Sequence, residues 1–123
     1  MGRYSWTTLQ GKEDRKITLI SAYRVCHTIT PGPFTAYSQQ CHILAIRGNQ
    51  NPNPREEIIN DLIEFINNLK QSGHQIILSI DANEEIKETQ QKTYGIQKLL
   101  KQTQLIDAHK TIPVSYTHLR AHE

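Results

Sequence analysis

The residue pattern predicts an α/β domain, and three observations carry that prediction. Tyr4–Leu9 and Lys16–Tyr23 have the composition of two strands joined by a polar turn, Gly11–Arg15. Pro54–Gln71 carries an apolar stripe of helical period. Gln75–Ile80 follows as a short, unbroken apolar run, so a helix delivers the chain back into a strand, as in α/β units.

In the first segment, YSWTTL alternates aromatic and small polar residues, and GKEDR supplies a hairpin loop containing glycine. KITLISAY sets Ile17, Leu19 and Ser21 on one face and Thr18, Ile20 and Ala22 on the other. Because Leu19 and Ile20 make both faces apolar, this strand is expected at the centre of a sheet. Thr30–Pro33 (TPGP) forbids helix or central strand, and Tyr37–Arg47 is expected to be helical. Asn49–Pro54 is a loop in which Asn53 serves as N-cap and Pro54 as the first helical residue.

The helix Pro54–Gln71 aligns Ile58, Leu62, Phe65, Ile66 and Leu69 on one face, widened by Ile59 and Ile63. Glu56 and Glu57 in its first turn and Lys70 in its last suit the helix dipole, and Gly73 provides the C′ residue. The apolar strand Gln75–Ile80 is expected to be covered on both faces. Thr93–Gln104 forms a shorter helix with Ile96, Leu99 and Leu100 inward, leading into LIDAH.

With 123 residues, 37% hydrophobic and 21% charged, one domain is the expectation. A net charge of +2 does not itself argue for nucleic acid or membrane. Neither a membrane-length apolar run nor a signal-peptide core is present, and Cys26 and Cys41 form no disulfide framework. An intracellular protein with free thiols is the reading that follows.

The chemistry-bearing stretch is Ile76–Glu84, IILSIDANE. Residues two apart on a strand share a face, so Asp81 and Asn83 point together if the backbone stays extended. The carboxyl end of an α/β strand is where binding crevices form. An aspartate there can ready water or hold a hard cation, and a neutral asparagine can donate to a developing oxyanion. Set against this, Asp and Asn after a strand are also common turn-formers and helix caps.

KITLISAYRVC, a helix, IILSIDANE and LIDAH, in that order, resemble the core of the endonuclease/exonuclease/phosphatase superfamily, the DNase I-like fold. GRYSWTTLQGKEDRKITLISAYRVC and SIDANE look like retroelement endonuclease domains, and the likeness spans roughly Gly2–Lys110. It implies a partial DNase I-like four-layer α/β sandwich over 1–113, with 114–123 (VSYTHLRAHE) a disordered or artefactual tail. It also implies cleavage of DNA phosphodiester bonds with Mg²⁺ or Mn²⁺, in a parent fused to a reverse transcriptase and nuclear if it acts on genomic DNA. The resemblance assigns Tyr23 to hydrogen-bonding the scissile phosphate, Asp81 to aligning and activating water, and Asn83 to steadying the phosphorane-like state. Without it, Tyr23 would be taken for a core or rim tyrosine.

The sequence departs from the family at Ile80, where glycine is usual before the aspartate. The metal-binding glutamate, the catalytic histidine and the late aspartate have no counterpart, and Glu13, Glu84 and His109 lack the setting to replace them. The metal ligands are therefore left unassigned, and this chain alone is expected to be inactive. Asp107 matches a family position that acts as a turn or cap. His118 with His122, and the Cys26-His27 and Cys41-His42 dipeptides, lack convincing zinc spacing or context. The lysines and Arg15 are expected on a solvated surface. Two alternatives remain: a phosphatase or phosphodiesterase of the same superfamily, and a non-catalytic small globular module.

Overall fold

A computed structural model describes residues 3–26, 35–48, 53–83 and 95–108. They form a small mixed α/β domain with three α-helices and one three-stranded sheet. The strands are β1 (Tyr4–Gln10), β2 (Lys16–Tyr23) and β3 (His74–Asp81), and the α-helices are α1 (Ala36–Ile46), α2 (Pro54–Gln71) and α3 (Gly95–Thr103). β2 is central, antiparallel to β1 and parallel to β3.

The hairpin turns through a short 3₁₀ segment, Lys12–Asp14. Its left-handed residues are Glu13 and Asp14, both at φ 59°, and the loop's glycine is not among them. Gly11 is instead confined by close approach: an added Cβ would lie 3.3 Å from the Arg15 carbonyl oxygen, to which Gly11 N–H donates.

Helix α2 begins and ends where its caps require. Asn53 accepts from the Glu56 amide, Pro54 opens the first turn, and Gly73 at φ 85° supplies the left-handed exit. Its stripe of Ile58, Ile59, Leu62, Ile63 and Ile66 is buried against Ile20 and Ala22 of β2 and Ile96 and Leu99 of α3. Polar ties reinforce the packing of α2 on α3: Lys70 Nζ donates to the Thr103 carbonyl at 2.6 Å and Lys98 Nζ to Asn60 Oδ1 at 2.7 Å. Lys98 thus has a partner and is not simply a solvated surface charge. Helix α1, capped by Thr35, packs on α2 and buries Leu44. Thr8, Thr18 and His74 join the three strands on the helix side through hydroxyl contacts of 3.0 Å and 2.8 Å.

One expectation fails. β3 is not covered on both faces: Ile76, Leu78 and Ile80 pack toward the core, whereas Gln75, Ile77, Ser79 and Asp81 are exposed. Among the described residues α2 packs on the inward face of the sheet, and α1 and α3 pack on α2. Continuous hydrophobicity therefore gives the strand's composition but not the number of layers around it. Thr30–Pro33, Glu84, His109, His118, His122 and the tail 114–123 lie outside the described residues.

Candidate functional site

The residues assigned by the resemblance gather at the carboxyl ends of β2 and β3. Parallel register sets Tyr23 directly opposite Asp81, and the Arg24 N–H continues the ladder by donating to the Asp81 carbonyl at 2.9 Å. Because register partners share a face, the phenol and the carboxylate both stand on the open side of the sheet. Tyr23 is 42% exposed and Asp81 is exposed, so both are open to a solvent-borne ligand.

Asn83 does not follow them. The strand ends at Asp81, and Asn83 adopts φ 49°, in the left-handed region that asparagine tolerates better than most residues. Its Nδ2 donates to the Arg24 carbonyl at 2.5 Å, joining the continuation of β3 to that of β2. The condition for Asp81 and Asn83 sharing a direction, extended backbone through position 83, is thus not met. A short polar side chain that can bond locally makes the sharp exit tolerable, and one of the two amide protons is used within the protein.

Two arginines that received no role from the sequence hold this corner together. Arg24 is 3% exposed; its Nε donates to the Arg55 carbonyl at 2.9 Å and its Nη2 to Glu56 Oε1 at 3.1 Å. Arg55 Nη1 donates to the Val25 carbonyl at 2.7 Å, and Nη2 reaches the Asn83 carbonyl at 3.4 Å. Together they fasten the start of α2 to both strand ends. A signal for Arg24 was present: the inward face of β2 carries Thr18, Ile20 and Ala22, and the next step of period two is Arg24. That step aims a cation at the acidic first turn of α2. A signal for Arg55 was present too, since a cation in a helix's first turn opposes the dipole and implies another demand on it.

The remaining candidates are dispersed. Burial pushes the Tyr37 hydroxyl pKa up, its neighbour Cys41 adds to the rise, and the charge of Arg55 opposes it. Cys26 is exposed and Cys41 half-buried, and neither is in a disulfide. Asp107 is half-buried beside the exposed Ile106. Among the described residues no group of three or more His, Cys, Asp and Glu side chains could hold a metal ion. Among the described residues the acidic donor at the site is Asp81 alone, which falls short of the several oxygens a hard cation draws from its site. No described helix is long and apolar enough to cross a membrane.

Compared with known proteins, the chain matches no family model, no curated protein and no solved structure.

Proposed function

We propose that this chain carries part of the phosphodiester-cleaving face of a DNase I-like endonuclease, of the kind borne by retroelements, acting on DNA in the nucleus beside a reverse transcriptase. The observation that supports this reading is the Tyr23–Asp81 register pair at the carboxyl ends of adjacent parallel strands, open to solvent. A phenol there donates to a phosphate oxygen, and the neighbouring carboxylate accepts a proton from water and turns its lone pair toward phosphorus. Cleavage breaks the P–O ester bond as the water oxygen bonds to phosphorus, and the departing alkoxide takes up a proton.

Mg²⁺ or Mn²⁺ belongs to the expectation for this chemistry, but the described residues do not by themselves fit such an ion. Asp81 is one carboxylate where neutralising the phosphate and leaving oxygen calls for more. No step is therefore routed through a cation, and turnover by the described residues alone is expected to be negligible.

A second reading has a specific observation behind it. Asn83 turns its side-chain amide to the Arg24 carbonyl from a left-handed backbone, as a structural tie would in a small non-catalytic module. An NMR titration of the chain with a short DNA duplex in Mg²⁺ separates the two. The nuclease reading expects shifts centred on the amides of Tyr23, Arg24, Asp81 and Asn83, weakened in Tyr23→Phe. Shifts absent from these positions, or unaltered by that variant, favour the module.

A further inference from the structure

Three arginines tie the site end of the sheet to helix α2. Arg3, just ahead of β1, pairs with Asp61, and Arg24, just past β2, pairs with Glu56 at 3.1 Å. Arg55 runs the other way, from the first turn of α2 to the carbonyls of Val25 and Asn83. Of the three, Arg24 stands nearest the candidate chemistry. It follows Tyr23 in the chain, its N–H donates to the Asp81 carbonyl at 2.9 Å, and its own carbonyl accepts from Asn83 Nδ2. The main chain of one residue therefore adjoins all three residues that the resemblance assigns to the site.

The Arg24 side chain points away from them. Neighbours on an extended chain face opposite sides of the sheet, so the Tyr23 phenol stands on the open side while the Arg24 guanidinium enters the helix side and is buried there. Its Nε donates to the Arg55 carbonyl and its Nη2 to Glu56 Oε1, and both acceptors belong to the first turn of α2. That turn is itself fixed by the Asn53 cap and by Pro54.

We propose that Arg24 is the positioning residue of this site: its guanidinium, locked on the first turn of α2, fixes the backbone that holds Tyr23 opposite Asp81. The paired register of β2 and β3 stops at Tyr23 and Asp81, and strand ends are where local opening is least costly. The phenol and the carboxylate are exposed, so packing does little to hold them. A planar cation with a carboxylate and a carbonyl as acceptors is fixed in direction as well as place, which a single ammonium is not. A working constellation needs its groups held within about 0.5 Å, so this anchor matters to the pair even where the fold survives its loss. The proposal rests on the nuclease reading for what the pair grips, but not for the geometry, which is present without a ligand.

NMR of the full isotope-labelled chain, without DNA, tests it through two signatures of the corner. One is the scalar coupling across the hydrogen bond from the Arg24 N–H to the Asp81 carbonyl, and the other is the nuclear Overhauser effect between the Tyr23 and Asp81 side chains. Both are expected in the wild type. Arg24→Lys keeps the charge and loses the fork. It is expected to abolish the coupling and to cut the Overhauser effect at least about twofold, the fall that a slip of about 0.5 Å gives under sixth-power distance dependence. Glu56→Ala is expected to follow it, whereas Glu56→Gln keeps an oxygen acceptor for Nη2 and is expected to stay near wild type. Leu62→Ala weakens the packing of α2 away from the corner and is expected to leave both signatures in place. Far-UV circular dichroism establishes that each variant is folded, and the two Glu56 variants carry the comparison if Arg24→Lys is not. A wild type without the signatures, signatures that survive Arg24→Lys or Glu56→Ala, or an equal loss in Leu62→Ala would overturn the proposal. The nuclease reading fails separately: signatures that behave as expected, with no shift at Tyr23 on adding a DNA duplex in Mg²⁺, uphold the positioning role and remove the substrate.

Discussion

Replacing Asn83 separates two contributions that the structure assigns to one residue. Its φ of 49° costs an ordinary L-residue about 1–2 kcal/mol, a cost glycine escapes and asparagine partly escapes. Its Nδ2 bond to the Arg24 carbonyl is worth about 0.5–1.5 kcal/mol, toward the lower end at so exposed a position. Asn83→Gly forfeits the bond and keeps the turn, so about 0.5–1 kcal/mol of stability should be lost. Asn83→Ala forfeits the bond and strains the turn, for a total of about 1.5–2.5 kcal/mol. Asn83→Asp keeps the local conformational preference but sets an acceptor against an acceptor, and should fall near or below the alanine variant. Urea unfolding followed by circular dichroism measures the series as shifts in midpoint at constant slope. Equal losses for glycine and alanine would refute the left-handed turn, and an unperturbed alanine variant would refute the tie altogether. The second result would leave the Asn83 amide available to the candidate site.

Glu56→Ala should cost about 3 kcal/mol in the same assay, because it removes the carboxylate paired with the nearly buried Arg24 guanidinium. Leu62→Ala, at a fully buried position of α2, should cost about 2–5 kcal/mol by opening a cavity between helix and sheet, and a loss under 1 kcal/mol would contradict that packing. Tyr37 gives the pH dependence. Its pKa is raised on folding, so the folded state holds its proton longer, and the associated stability is present below pH 10.0 and lost as pH climbs through the folded value. Ultraviolet titration of wild type against Tyr37→Phe should show one phenol ionising late, and its absence would remove that assignment.

Much of the architecture was legible because local chemistry encodes it. Asn53, Pro54 and Gly73 bracket α2, since capping and left-handed exit are decided within a turn of the helix end. The alternation in KITLISAY gave the inward face of β2, Thr18, Ile20 and Ala22, because strand periodicity is a property of the backbone. The period-two step to Arg24 and the first-turn cation at Arg55 signal a demand on each arginine but not what meets it, since backbone carbonyls carry no signature in a sequence and Glu56 lies far along the chain from Arg24.

The sequence by itself determined the elements to within a residue or two of their bounds, and the inward faces of β2 and α2. The tertiary structure decided what Tyr23, Asp81 and Asn83 can do jointly. Tyr23 meets Asp81 because the intervening helix packs on the sheet and sets the parallel register, a long-range balance that local periodicity does not encode. Asn83 turns away because the strand stops at Asp81 and the Arg24 carbonyl lies within reach. Likewise, the exposure of Ile77 follows from which layers are present on each side of the sheet, and an apolar residue has the same identity whether or not a partner covers it.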